Sequence, residues 1–333
     1  MTPDAVQLLT VEGLAVDLPL ATGLRNVLSD VSFTIAPGEA LGLVGESGSG
    51  KSMTARAIAR LLPAGAVQHG DIRFDGRDVS TLKGAALRSY RGQVAMIFQD
   101  PRAHVNPVRS IGDFMTEALR TNLKVKASAA EAAAIKMLAE VGIADGARRL
   151  RQHPHELSGG LLQRVMIATT LLTEPRLLLA DEPTTALDVT TQAEVMAILD
   201  ELRRERNMAM LFITHDLELA SAVCDRTAVM YAGQVVEQRR SSLLHDDPLH
   251  PYTAGLVAAR PRIDGSTPRL NAIPGRPLSA FEAPAGCAFS DRCAYTQPQC
   301  TEHRPAIRPL SDGMVRCVRA EELRGQLEEV VHG

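Results

Sequence analysis

The most constraining feature of the sequence is the glycine-rich octapeptide Gly45-Glu46-Ser47-Gly48-Ser49-Gly50-Lys51-Ser52, which lies between a strand-type run and a helix-type run. Its spacing is that of a phosphate-binding P-loop. The glycines let the backbone curl so that successive N–H groups face phosphate oxygens, and the positive end of the following helix adds attraction. Lys51 would supply a positive charge, and the Ser52 hydroxyl would bind Mg²⁺. Since a chance match is expected in at most about one chain in a hundred of this length, the pattern predicts a nucleoside triphosphate site.

A second motif consists of two carboxylates, Asp181 and Glu182, at the end of the apolar run 177–180. A buried strand of this kind would deliver the acids at its carboxyl-terminal edge. Asp181 would then hold the Mg²⁺ shell, and Glu182 would polarise the attacking water as a general base. A core strand followed by an exposed acidic turn is the alternative interpretation, and it would be the default in a chain without a P-loop.

The pattern along the chain predicts an α/β fold on a parallel sheet, because short strand-type runs alternate with helical runs. Strands are expected near 31–35, 40–44, 71–74, 93–98, 177–180, 208–213 and 227–231, and helices near 52–62 and 190–206. The pattern is helical from 109 to 173, which predicts a helical insert at about 100–173. After residue 245 prolines recur and apolar periodicity fades. We therefore predict a main domain at 1–245 and a separate Pro- and Cys-rich extension at 246–333.

Charge and hydropathy exclude some functions. A net charge of −3 gives little reason to bind nucleic acid, whose affinity depends mainly on Lys and Arg. The longest apolar runs fall far short of the ~20 residues that a membrane-spanning helix needs. The amino-terminal ten residues carry no basic side chain, unlike a secretory signal or a transit peptide. These features predict a cytoplasmic protein without a membrane span.

Further motifs occur in a fixed order around the P-loop. They are Gln99 after a strand-type run, Leu157-Ser158-Gly159-Gly160, Ala186-Leu187-Asp188 after the acidic pair, and His215 after the run 208–214. Together with the P-loop, this order resembles that of ABC-type ATPases. The resemblance implies a P-loop NTPase domain of ABC type, with a parallel-sheet core, an antiparallel β subdomain and a helical subdomain.

The same resemblance implies roles for these residues. Two such domains would pair head to tail, so that Ser158, Gly159 and Gly160 complete the ATP site of the partner at the start of a helix. Gln99 would contact Mg²⁺ and the attacking water, and His215 would contact the γ-phosphate. Asp188 would belong to the loop that follows the acidic pair and would be one of the nucleotide-binding residues.

Two positions depart from the family pattern. Leu161 stands where the signature usually has Gln, although Gln163 and Arg164 follow shortly after it. The family usually stacks an aromatic side chain on the adenine, but no aromatic residue precedes Phe33. Leu24 is the residue that aligns best with this aromatic position. It would give the adenine an apolar contact in place of aromatic stacking.

The branch of the family is indicated by segments outside the shared motifs. Residues 98–101, 106–107, 250–253, 273–275 and 286–287 look like the oligopeptide/dipeptide branch of importer ATPases, which nickel and metallophore importers share. This resemblance implies a peripheral subunit on the cytoplasmic face of the cell membrane. Its partners would be a second, homologous ABC ATPase subunit, two transmembrane permease subunits and an extracytoplasmic substrate-binding protein.

Two other functions were weighed against a transport ATPase. A soluble ABC ATPase of DNA repair or translation would carry coiled-coil insertions, tandem domains or basic patches, and none is evident in the sequence. The second alternative is a nucleotide-binding module that does not hydrolyse ATP. The departures from the family pattern at Leu161 and Leu24 agree with it, but the presence of the predicted catalytic residues Glu182 and His215 argues against it.

Four of the five cysteines crowd into the last fifth of the chain. They are Cys287, Cys293, Cys300 and Cys317, separated by five, six and sixteen residues. In a reducing compartment such a group indicates metal before disulfides, although the spacing differs from that of typical zinc ribbons. The branch resemblance implies a 4Fe-4S cluster on these four thiolates. Zinc and unliganded thiols are the alternatives.

Overall fold

The computed structural model describes residues 7–21, 23–184, 187–259 and 272–332, so two residues of the predicted loop before Asp188, 185 and 186, lie outside it. The chain divides into two compact units, Met1–Ser80 with Phe212–Gly333, and Thr81–Leu211. None of the described helices is both long and apolar enough to cross a lipid bilayer.

The described strands are β1 Leu9–Leu20, β2 Gly23–Ile35, β3 Ala40–Val44, β4 Val67–Phe74, β5 Arg77–Asp78, β6 Val94–Ile97, β7 Leu177–Asp181, β8 Ala209–Thr214, β9 Arg226–Tyr231, β10 Gln234–Arg240, β11 Arg308–Leu310 and β12 Gly313–Val315. The described helices are α1 Lys51–Ile58, α2 Gly84–Gln93, α3 Ile111–Thr121, α4 Ala127–Glu140, α5 Gly146–Arg149, α6 Gly159–Leu171, α7 Val189–Glu205, α8 Leu217–Val223, α9 Ser241–Asp246, α10 Pro251–Ala258, α11 Pro298–Glu302 and α12 Ala320–His332.

The first unit begins with an antiparallel sheet in the order β2-β1-β4-β5. Leu9 pairs with Ile35 on one side and with Phe74 on the other, and the side chains of Leu9 and Val11 are buried. The sequence pattern predicted only the carboxyl-terminal parts of β2 and β4 and missed β1. Register shifts along the β1–β2 pair break the two-residue alternation that identifies a half-buried strand, which explains the omission.

The same unit contains a second set of strands. The order β11-β12-β10-β9-β3 places β3 parallel to β9, while β10 runs antiparallel to β9 and to β12. All five residues of β3 are buried, as expected for a strand covered on both faces. The described residues of the tail join this unit, because β12 pairs with β10 at Glu237 and Val315. The predicted domain boundary near residue 245 stays a prediction.

The second unit combines the parallel strands β6 and β7 with helices. Val94 pairs with Leu177 and Ile97 with Ala180. Helices α3, α4, α5 and α6 occupy the stretch in which the sequence pattern is helical. Strand β8 starts in this unit and carries the chain into the first one.

Helix α1 is shorter than predicted. We expected it to continue to residue 62, but it ends at Ile58. Arg60 adopts a left-handed conformation with φ of 58°, and the N–H of Leu61 donates to the carbonyl oxygen of Arg56 at 2.8 Å. This closing turn satisfies the last carbonyl groups, and Pro63 follows it.

Candidate functional site

Two glycines shape the P-loop, and a larger residue at either position would displace the loop or its neighbours. A Cβ atom on Gly45 would lie 2.2 Å from the carbonyl oxygen of Met230, a backbone atom of β9. Gly50 has φ of 104°, and a Cβ there would lie 2.5 Å from the side chain of Leu28. The loop is thus held close to β9 and β2, and its curl depends on the absence of side chains.

The polar groups of the loop fit an anion. Gly50 is the N-cap of α1 and carries no side chain that could cap the helix. The Ser49 hydroxyl is buried without a hydrogen-bond partner in the described structure. The Lys51 ammonium donates to the carbonyl oxygens of Gly45 and Glu46 at 2.6 and 3.1 Å. A buried hydroxyl, a helix N-terminus and a lysine around a side-chain-free cradle are what a phosphate chain requires.

Two further predicted residues belong to the first unit. His215 follows the end of β8 and is exposed. Leu24 lies on β2 opposite Pro19, with 58% of its surface exposed. An apolar side chain so exposed is available for contact with a flat ring, and its assignment to the adenine stays a prediction.

In the second unit, the acidic pair ends a buried strand as predicted. Asp181 is the last residue of β7 and is 4% exposed. Glu182 begins the following turn with φ of 46°, a left-handed conformation that costs a non-glycine residue of order 1 kcal/mol or more. The Gln99 amide donates to the Glu182 carboxylate at 3.1 Å. The structure therefore brings together two of the residues predicted to act on the attacking water.

The signature segment forms a helix start. Ser158 is the N-cap of α6, and its hydroxyl accepts a hydrogen bond from the N–H of Leu161 at 3.3 Å. A Cβ on Gly159 would meet nothing within 4 Å. The amino-terminal end of α6 is thus open and free of bulky side chains at this position, as the predicted contact with a phosphate requires.

Two polar residues fix the loops next to these motifs. Gln163, which is 1% exposed on α6, donates to the carbonyl oxygen of Pro183 at 2.6 Å and so ties the signature helix to the turn after Glu182. The sequence showed Gln163 but gave no reason to place it there. Asp188 is the N-cap of α7 and accepts from the N–H of Thr191 at 3.0 Å.

The four tail cysteines line one cavity and are free of disulfides. Even so, no three His, Cys, Asp or Glu side chains form a ready-made metal site within the described ranges. Cys287 and Cys293 pack against one apolar cluster, whereas Cys317 packs against another. Burial raises the pKa of Cys287 to about 11 and that of Cys317 to about 12. The predicted ligand set therefore lines one cavity, and burial disfavours the thiolate forms of Cys287 and Cys317.

The sequence missed a contact between the tail and the P-loop. Arg292 forms an ion pair with Glu46, the second residue of the octapeptide, at 2.6 Å. The N–H of Glu46 also donates to the hydroxyl of Tyr252 at 2.9 Å. Tyr252 lies in the segment 250–253 and Arg292 directly precedes Cys293, but nothing in the sequence indicated that either would reach residue 46.

Comparisons with known proteins agree with this geometry. A family described as "ABC transporter" matches residues 28–185, and one described as "Oligopeptide/dipeptide transporter, C-terminal region" matches residues 236–300. A Brucella abortus protein provisionally named for peptide import is 45% identical over 312 residues, covering 93% of this chain and 94% of that protein. The oligopeptide transport ATP-binding proteins OppD of Haemophilus influenzae and Escherichia coli are 43% and 41% identical over 310 residues. Each alignment covers 93% of this chain, with 96% and 92% of the respective relative.

Solved structures share the fold. A component of an ABC transporter complex from Clostridium perfringens superposes with a TM-score of 0.60 at 26% identity, covering 71% of this chain and 89% of that chain. An ATP-binding cassette solved as a dimer with ADP and phosphate gives a TM-score of 0.61 at 24% identity, covering 70% and 98%.

Proposed function

Because the chain belongs to the family of ABC transporter ATP-binding proteins, we propose that it binds and hydrolyses ATP to power the import of peptides. The observation that carries this proposal is the similarity to oligopeptide transport ATP-binding proteins over 93% of the chain. That similarity includes a C-terminal region of the oligopeptide/dipeptide type, which an ATPase domain alone would lack.

In this proposal the P-loop binds the phosphates of ATP. Its backbone N–H groups and the start of α1 would face phosphate oxygens, and Lys51 would exchange its carbonyl acceptors for them. The Ser52 hydroxyl and the Asp181 carboxylate would hold Mg²⁺, which supplies charge neutralisation on the phosphates when bound. Leu24 would contact the adenine through apolar surface.

The chemistry would depend on Glu182 as the general base. The carboxylate accepts a hydrogen bond from Gln99, which holds one of its oxygens in place. Transfer of the Gln99 amide to Mg²⁺ and water would release Glu182 to accept the proton of the attacking water. His215, exposed after β8, would contact the γ-phosphate.

The assembly we propose contains two ATPase subunits, with the open start of α6 completing the ATP site of a homologous partner. Ser158, Gly159 and Gly160 would face that partner's γ-phosphate, and Asp188 would lie at the same side. Two transmembrane permease subunits and an extracytoplasmic substrate-binding protein would complete the importer. The chain would then lie peripherally on the cytoplasmic face of the cell membrane.

For the tail we propose a 4Fe-4S cluster on the four cysteines. The support is a single cavity that all four thiols line. A bound metal cluster would stabilise the thiolates and release their protons, so that loading is favoured by high pH. Its contribution would be structural, since it would join the segments that carry the four cysteines.

The transport function is tested by purifying the tagged full-length chain from its own membranes in mild detergent and identifying what accompanies it. We expect a second ATPase, two membrane-spanning subunits and a binding protein that takes up oligopeptides. Recovery without membrane-spanning partners, or a binding protein that holds nickel and no peptide, would contradict the proposal. An untagged strain is the control.

The cluster is tested by metal and acid-labile sulfide analysis of the chain purified without oxygen. About four iron and four sulfide per chain are expected, and the content should collapse in Cys300→Ser. Cys224→Ser is the matched control, because Cys224 is also buried and outside any disulfide but does not line the cavity. Zinc in place of iron, or an equal loss in both variants, would refute the assignment.

A further inference from the structure

One residue of the P-loop is held by the tail through a paired contact. The Arg292 guanidinium donates to both oxygens of the Glu46 carboxylate, Nη1 to Oε2 at 2.6 Å and Nη2 to Oε1 at 3.1 Å. The Arg292 side chain is only 4% exposed and that of Glu46 is 24% exposed. A two-point arginine–carboxylate pair in such surroundings fixes the direction of the carboxylate as well as its distance.

A second contact fixes the backbone of the same residue. The N–H of Glu46 donates to the hydroxyl of Tyr252, which is completely buried at the start of α10. The side chain and the backbone of Glu46 are therefore both anchored by residues that follow position 245 in the chain. A displacement of Glu46 would therefore strain or break these contacts.

Arg292 is itself immobilised. Its Nε donates to the carbonyl oxygen of Pro274 at 2.7 Å, and its guanidinium lies 5.7 and 5.8 Å from the ring centres of Tyr231 and Phe289. Cation–π contacts of this kind add to the hydrogen bonds in holding an arginine in one orientation. A shift of the segment around Arg292 would therefore move the guanidinium, and with it the Glu46 carboxylate.

That tail segment runs between two of the cavity cysteines. Arg292 ends a 3₁₀ turn and directly precedes Cys293, and the N–H of Cys287 donates to the carbonyl oxygen of Cys300 at 2.7 Å. A buried arginine that pairs with a carboxylate also precedes the fourth cysteine. Arg316 directly precedes Cys317, is 5% exposed, and donates to the Asp30 carboxylate at 2.8 Å.

From these contacts we infer that Arg292 is a positioning residue of the nucleotide site: through Glu46 it holds the P-loop in its binding conformation and couples it to the four-cysteine cavity. The coupling rests on the nucleotide and metal sites proposed above, whereas the positioning role needs only the nucleotide site. Since coupling between two sites is reciprocal, metal in the cavity would strengthen nucleotide binding and bound nucleotide would slow the loss of metal.

The positioning role is tested by titrating the full-length chain with fluorescent MgATP. Arg292→Gln should raise Kd about tenfold, and Arg292→Lys should recover only part of the loss because an ammonium cannot pair with both oxygens. In the assembled transporter the change should appear in KM for ATP and leave kcat within about twofold.

The chain offers a matched control. Arg276 pairs with Glu282 in the same tail through two contacts of the same length, 2.6 and 3.1 Å, but does not touch the P-loop. Arg276→Gln should leave Kd unchanged. Should Arg292→Gln fail to fold, Glu46→Gln removes the same pair from the more exposed side and should raise Kd in the same direction. An unchanged Kd in folded Glu46→Gln or Arg292→Gln would overturn the positioning role.

The coupling is tested on the iron-loaded chain by timing iron loss to a chelator. MgADP should slow the loss several-fold in the wild type and in Arg276→Gln, but not in Arg292→Gln. Equal rates with and without MgADP in the wild type would overturn the coupling. A tail that never takes up iron would overturn it as well, and the Kd comparison would still decide on the positioning role.

Discussion

Replacing Gly45 by alanine is the sharpest steric perturbation that the P-loop offers. The new Cβ would lie 2.2 Å from the carbonyl oxygen of Met230 and 2.8 Å from the Ser49 hydroxyl, where ordinary contacts need more than 3 Å. Met230 belongs to β9, which is hydrogen-bonded to β3 and β10 on its two sides, so the loop must move by about 1 Å. Overpacking of this kind costs about 1–3 kcal/mol of unfolding free energy.

The displacement should weaken nucleotide binding as well. Losing one charge-assisted hydrogen bond between a loop N–H and a phosphate costs about 1.5–3 kcal/mol, which corresponds to at least a tenfold higher Kd for MgATP. Urea unfolding and nucleotide titration measure the two effects. Gly325→Ala is the control, because a Cβ there meets nothing within 4 Å and should stabilise α12 by about 0.5–1 kcal/mol. Unchanged stability and Kd in Gly45→Ala would refute the reasoning.

Three more predictions concern stability. Glu182→Gly should relieve the strain of the left-handed backbone and raise the unfolding free energy by about 1 kcal/mol, while abolishing ATP hydrolysis. Glu182→Gln should leave the unfolding free energy unchanged. Equal denaturation midpoints for the two variants would contradict this prediction. Burial lowers the pKa of His250 to about 3, so the folded state holds fewer protons than the unfolded state below pH 6.5 and stability falls as pH falls. His250→Asn keeps an acceptor for the N–H of Tyr252. It should reduce the slope of unfolding free energy against pH between pH 4 and 6 by at most about 1.4 kcal/mol per pH unit. Parallel profiles for the variant and the wild type would count against this prediction. Asp188→Ala removes the cap that accepts from Thr191 and should cost about 1 kcal/mol in urea unfolding, so an unaltered midpoint would show that the cap is dispensable.

Local motifs could be predicted from the sequence because their geometry depends on neighbouring residues. The glycine spacing of the P-loop requires the same curl wherever it follows a strand and opens a helix. Ser158 was placed at a helix start for a similar reason, and the structure makes it the N-cap of α6. The apolar run before Asp181 likewise predicted the buried strand β7.

What escaped prediction depends on partners far away in the chain. Arg292 and Glu46 are 246 positions apart, and a proline-rich segment without apolar periodicity gives no sign of where its side chains will dock. Strand β1 was missed because its bulges disturb the alternation, and the turn after Glu182 is tied to Gln163, 20 positions before Pro183. Tertiary contacts decide all three, so a local pattern could not reveal them.

ATP-driven peptide import is tested most directly by measuring ATP hydrolysis and peptide uptake in proteoliposomes that contain the intact transporter. The wild type should hydrolyse ATP faster when loaded binding protein is present and should accumulate peptide only with ATP. Glu182→Gln should lose at least about a hundredfold in hydrolysis, stop uptake, and keep its Kd for MgATP. Full hydrolysis by Glu182→Gln, or peptide uptake by the wild type without ATP, would contradict the account.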